Sequence, residues 1–155
     1  MTSPVRVRNI PEEAKRRLKL LFIAKHAMWE GSLHPEDGNH ALYHVETREI
    51  LKALGLNLSL ANSFDALFDK PDVDFVFPLL NRGGFLNSEM LAPLLCTRAG
   101  VPFLGASPIL RGLADDKHLT KLCAAARGIP TAPGAIYARR GPVQQAGCPA
   151  RERLV

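Results

Sequence analysis

Residues 101–130 constrain this chain more tightly than any other stretch. Val101, Pro102, Phe103, Leu104 and Gly105 form a short apolar run closed by glycine. Ala106, Ser107 and Pro108 then read as a turn, with Ser107 capping a helix whose first position is proline. This pattern predicts a strand that feeds a helix. A second helix is expected to begin at Asp115 and Asp116, to carry Lys117, His118, Lys121 and Arg127, and to stop at Gly128 with Pro130 beyond. Acids in its first turn and bases in its last suit the helix dipole. Leu119, Leu122, Cys123 and Ala126 recur at helical spacing and predict a packed face, while Lys117 and Lys121, one turn apart, project together from another side.

The same alternation runs through the preceding residues. Pro11, Glu12 and Glu13 start a short helix through Arg17. Residues 18–24 are almost continuously apolar and suit a buried parallel strand, although one helix running on from Pro11 is also compatible with the periodicity. Residues 41–54 predict a helix ended by Gly55, with Leu42, Val45, Ile50, Leu51 and Leu54 as its buried face. Leu56, Leu58 and Leu60 alternate with polar residues as in a second strand, and residues 63–67 make a helical turn. Residues 74–80 are a further buried strand that Pro78 ends early or places where no ladder bond is needed. Residues 88–100 carry a helix with Met90, Leu94 and Leu95 inward, and 134–137 one more short strand. Strands alternating with helices predict an α/β fold, a three-layer Rossmann-like (flavodoxin-like) domain with a parallel sheet. The expected organisation is a basic extension over 1–17, the α/β domain over 18–137 and an irregular tail over 138–155.

A chain of 155 residues can bury roughly 70% of its unfolded surface, enough for a real core. No apolar run approaches the roughly 20 residues that cross a bilayer. No secretory pattern opens the sequence, so the expected compartment is the cytoplasm. Cys96, Cys123 and Cys148 are too scattered for a disulfide framework or a Cys-x-x-Cys site. The net charge of +5 gathers at the two ends, in Arg6, Arg8, Lys15, Arg16, Arg17 and Lys19 and in Arg139, Arg140, Arg151 and Arg153. Solvated basic arms explain it better than a nucleic-acid stripe, which would interleave aromatics.

Two loops carry candidate chemistry. Residues 25–39 are largely polar, and His26, His34, Glu36, Asp37, His40 and His44 gather there. His40 and His44 lie one turn apart as in helical zinc sites, but no His-Glu-x-x-His order is present, and the favoured reading is a loop bordering a ligand cleft without a metal. Asn81, Arg82, Gly83 and Gly84 follow the strand at 74–80, where open parallel sheets bind ligands. Two glycines let backbone amides approach an anion, and an arginine pairs with carboxylate or phosphate bidentately. A plain Gly-Gly turn is the alternative.

The string from Val101 to Ser107, then Asp116-Lys117-His118-Leu119-Thr120-Lys121, then Gly128-Ile129-Pro130-Thr131-Ala132-Pro133, resembles the end of the N-terminal (pre-ATP-grasp) domain of ATP-grasp ligases, most of all the D-alanine-D-alanine ligases. The resemblance implies that Lys117 contacts ATP phosphates and that Asn81, Arg82, Gly83 and Gly84 hold a small-molecule carboxylate substrate. It also implies ATP and Mg2+ as cofactors, bound between two further subdomains. No Lys-Pro strand, glycine-rich phosphate loop or acidic magnesium pair follows Tyr137, so the expectation is a fragment inactive alone, partnered by a missing ATP-binding half in cis or trans. A homodimer is left open. The family's glycine-rich turn and substrate-contacting glutamate after the first strand are replaced here by Lys25-His26-Ala27-Met28-Trp29. The alternative reading is a non-catalytic small-anion-binding or interaction module of flavodoxin-like fold.

Overall fold

The computed structural model describes residues 9–80, 88–138 and 141–146. The chain forms two compact units, Met1–Ala106 and Ser107–Val155. The boundary falls inside the stretch 18–137 that the sequence presents as one domain. No helix among the described residues is long and apolar enough to cross a membrane.

In the first unit, helix α1 (Glu12–Arg17) leads into strand β1 (Lys19–Ile23), then α2 (Ala41–Ala53), β2 (Asn57–Ala61), β3 (Phe75–Pro78) and α3 (Leu91–Ala99). The strands form a parallel sheet in the order β2-β1-β3. Because successive side chains of a strand point to opposite faces, β1 serves two cores. Leu21 and Ile23 pack with Phe64, Leu67 and Val76 and with Ala92, Leu95 and Cys96. Leu20 and Phe22 pack with Ala24, Ala27 and Leu51 on the other face. Sheet between helices is the three-layer Rossmann-like arrangement, and the apolar run of β1 is its central strand. Phe22, Ile23 and Val76 are fully buried, and the rings of Phe22 and Phe77 meet with centroids 5.9 Å apart.

The run 101–105 contributes a single parallel bridge, Val76 to Phe103. Val76 donates to Pro102 O and accepts from the Leu104 amide, both at 2.9 Å. Proline lacks the amide hydrogen that would extend this ladder, which limits the run to one bridge.

Two helical faces differ from the sequence expectation. On α2, Leu42, Ile50 and Leu54 are exposed, and Ala41, Arg48 and Leu51 are buried. The inward stripe holds an arginine because the loop after β1 offers carbonyls that need a donor there. On α3, Leu95 points inward as expected and Leu94 is exposed. Gly100, at φ 69°, closes α3 in the left-handed conformation that glycine adopts freely.

The second unit comprises α4 (Pro108–Asp115), α5 (Lys117–Ala126) and an antiparallel pair, β4 (Gly134–Ala138) with β5 (Gly141–Ala146). Ser107 caps α4 as its sequence predicts, accepting from the Leu110 amide. Asp115 belongs to the end of α4, and Asp116 is the N-cap of α5 rather than part of its first turn. The expected packed face of α5 is open, since Leu119, Leu122 and Ala126 are exposed and the buried residue is His118. Strand β5 occupies sequence that reads as irregular: Gly141 and Pro142 mask it, and the ladder accommodates them by a register shift between Ile136 and Tyr137, next to the Tyr137–Pro142 pair.

Candidate functional site

With β1 between β2 and β3, the chain leaves β1 for β2 on one side, and after β3 it goes to the run 101–105 on the other. The crevice at the carboxyl ends of β1 and β3 is therefore the switch point at which such sheets bind ligands. Its β3 side continues into Asn81, Arg82, Gly83 and Gly84. These four candidates lie outside the described residues. Its β1 side is the histidine-bearing loop.

That loop is built from backbone hydrogen bonds that need specific partners. The Ala27 amide donates to Ala24 O at 3.2 Å and the Trp29 amide to His26 O at 3.1 Å. The Met28 amide donates to Asn62 Oδ1 at 2.9 Å, tying the loop to the end of β2. The remaining carbonyls are taken by Arg48, whose Nη1 donates to Ala27 O at 3.2 Å and also to Trp29 O. Its Nε donates to Glu49 Oε1 at 2.8 Å. These acceptors offset the cost of burying the guanidinium charge. A Cβ at Gly31 would meet the indole of Trp29, which would have to shift.

Further on, a short 3-10 turn, Pro35–His40, starts from His34, whose Nδ1 accepts from the Glu36 amide at 3.3 Å. It turns Asp37 inward, where the side chain keeps 3% exposure and its Oδ1 lies 2.6 Å from His26 Nδ1. The rings of His26 and His34 stack with centroids 3.4 Å apart, and Trp29 meets His34 edge-on. His44 approaches from α2, its Nδ1 3.9 Å from Asp37 Oδ2 and without a hydrogen bond among the described residues. Burial holds the His44 pKa below its ordinary value, against the opposing pull of Asp37. Beside this cluster lies a groove of about 780 Å³ whose lining includes Met28, Trp29, Arg48, Glu49, Lys52 and Leu60.

Lys117 opens α5 and is exposed. The amides of His118 and Leu119 each donate to Asp116 Oδ1 at 2.9 Å. The helix end is thus already capped by a carboxylate. Lys121, expected to project beside Lys117, instead donates to Pro133 O at 3.1 Å. The sequence missed Arg48 altogether; its one signal is helical phase, because 41, 44, 45, 48 and 51 fall on one stripe.

Over 87 residues the chain is 37% identical to a D-alanine–D-alanine ligase of Chlorobium limicola, an alignment covering 56% of this chain and 23% of that protein. Over 62 residues it is 40% identical to a D-alanine–D-alanine ligase of Bifidobacterium adolescentis, covering 40% of this chain and 16% of that protein. The similarity is to ligases, and it is partial. The chain spans less than a quarter of the length of these curated relatives. No family model matches it.

Proposed function

We propose that this chain is the N-terminal part of an ATP-dependent carboxylate–amine ligase of the ATP-grasp type, in which an acyl phosphate forms and an amine displaces the phosphate. The partial identity to two D-alanine–D-alanine ligases, joined to a parallel sheet with its switch point at β1 and β3, carries this reading. Lys117 neutralises phosphate charge. Arg82 pairs with the substrate carboxylate, and Asn81 with the Gly83 and Gly84 amides orients it. Catalysis of this kind rests on positioning and charge neutralisation rather than on a protein nucleophile. In this reading ATP and Mg2+ are held by the ATP-binding half. Among the described residues the single group of three or more metal-capable side chains, His26, His34 and Asp37, is nitrogen-rich and does not suit Mg2+, which takes oxygen ligands. The apolar side chains left open on α4 and α5, Ile109, Leu110, Leu119 and Leu122, are surface that the ATP-binding half would cover.

The purified chain, given ATP, Mg2+ and D-alanine, is expected to release no phosphate and form no dipeptide; turnover by these 155 residues alone would end the proposal. Grafted in place of the matching segment of the Chlorobium limicola ligase, it is expected to support ATP-dependent peptide formation. In that chimaera Lys117→Ala should raise the KM for ATP about tenfold or more, and Arg82→Ala the KM for the amino acid, as loss of a charge-assisted contact does. An active chimaera indifferent to both changes would remove these residues from the site.

A second reading, a small-anion-binding module, is favoured by the groove beside Arg48 and Lys52, which lies wholly within the first unit. It predicts saturable binding of a carboxylate or phosphate by the isolated chain, weakened by Lys52→Ala but untouched by Lys117→Ala.

A further inference from the structure

The ligase reading makes no use of the histidine-bearing loop. One ring nitrogen each of His26 and His34 and one carboxylate oxygen of Asp37 lie within 4.8 Å of one another. We propose that these three side chains form a binding site for a transition-metal dication of the zinc class.

The donor set selects that class. Two imidazoles with one carboxylate suit zinc, nickel or cobalt, whereas magnesium and calcium prefer oxygen throughout. The ligand atoms already lie within reach of one ion. The rings of His26 and His34 stack face to face, at 3.4 Å and 13° between planes, so one ring swings on binding until the in-plane lone pairs converge on the metal. Ligands bound at about 2.0–2.1 Å in a tetrahedron stand roughly 3.4 Å apart, so a pair at the 4.8 Å limit closes by about 1.4 Å on binding. Between the loop and α2 lies a cavity of about 10 Å³ lined by His26, His34, Asp37 and His44 among others. That is room for one water or a smaller ion.

His44 supplies an independent observation. Its Nδ1 is buried without a hydrogen bond and faces Asp37 Oδ2 at 3.9 Å. If one Asp37 oxygen takes the metal, the other becomes the acceptor that His44 lacks, the outer-shell arrangement that holds ligating carboxylates in place. His44 is in this sense a positioning residue. The frame is fixed beforehand by Arg48 and by the end of β2, so the ion meets an ordered loop. His40, the other member of the helical pair that the sequence suggests, is exposed and stands outside the group. The bound ion would pin residues 26–37 against α2 and place a net positive charge beside the carboxyl end of β1.

The test uses the full chain made without a polyhistidine tag, freed of metal by chelator and titrated with Zn2+ in a calorimeter. One Zn2+ per chain is expected, with a thermal midpoint raised by several degrees at saturating metal. His34→Ala should weaken binding tenfold or more, as should Asp37→Asn, while His40→Ala stays within twofold of the parent. Circular dichroism establishes that each variant is folded, and His34→Gln is the second variant should the alanine not be. A folded His34 variant that binds zinc like the parent overturns the assignment. So does the absence of saturable one-to-one binding, or a loss with His40→Ala equal to that with His34→Ala, which would move the site to the helical pair. None of these outcomes depends on ligase activity.

Discussion

At the scale of single residues, Arg48 decides the course of the loop after β1. It is 6% exposed and its guanidinium serves carbonyls of residues far from it in sequence. Arg48→Met keeps most of the apolar stem but strands those carbonyls, and urea denaturation should show a loss of about 2–3 kcal/mol. Arg48→Lys should recover only part of it, because an ammonium does not reproduce the fork of the guanidinium. Cys96 makes a separate prediction. Burial against the sheet raises its pKa to about 11. The unfolded thiol ionises near 8.5, so the unfolded chain loses its proton first, and Cys96 contributes a stability that falls as pH rises from about 9 to 11. The fall should amount to roughly 2 kcal/mol and should be missing from Cys96→Ala. In a Cys148→Ser background at pH 8, an alkylating reagent should label Cys123, which is partly exposed, and leave Cys96 untouched until the chain unfolds.

At the scale of elements, what could be read from sequence depended on whether one pattern had one cause. Strand β1 and the three-layer architecture were legible because a run buried on both faces is apolar throughout, although the same run also left a helix continuing from Pro11 open. The cap Ser107 was legible because capping is a local matter of one side chain and its own helix end, whereas the adjacent Asp115 and Asp116 read as one first turn and hid that one closes α4 and the other caps α5. The inward stripe of α2 was not, since its central position is a charged residue answering a loop distant in sequence. Strand β5 was hidden for a related reason: pairing with β4 supplies its hydrogen bonds, and its own composition argues against it. In the candidate site all six polar side chains of the loop could be named from sequence. Their grouping could not, because the 3-10 turn at Pro35–His40, not the helix, brings Asp37 to His26. Two substitutions test the elements. Ile23→Ala, at the carboxyl end of the central strand and fully buried, should destabilise the first unit by about 3 kcal/mol or more in denaturant titration. Asp116→Ala should loosen only the start of α5, by about 1 kcal/mol, seen as faster amide exchange at His118 and Leu119.

At the scale of the molecule, the net charge of +5 draws largely on basic residues near the two ends of the chain. Part of the basic excess is already balanced in place, Lys15 against Glu12 and Arg17 against Glu13 on α1, and such exposed pairs contribute little to stability. Removing them should leave the thermal midpoint within about a degree, whereas the losses predicted at Ile23 and Arg48 should shift it by several degrees. The chain also holds a single tryptophan, and the fold sets it in contact with His34, over Gly31 and within the clasp of Arg48. An indole beside an imidazole loses emission when that ring takes a proton. The molecule therefore carries a built-in optical gauge: excitation at the red edge of protein absorption reads the state of this one loop, with no label attached and no signal from the rest of the chain to subtract.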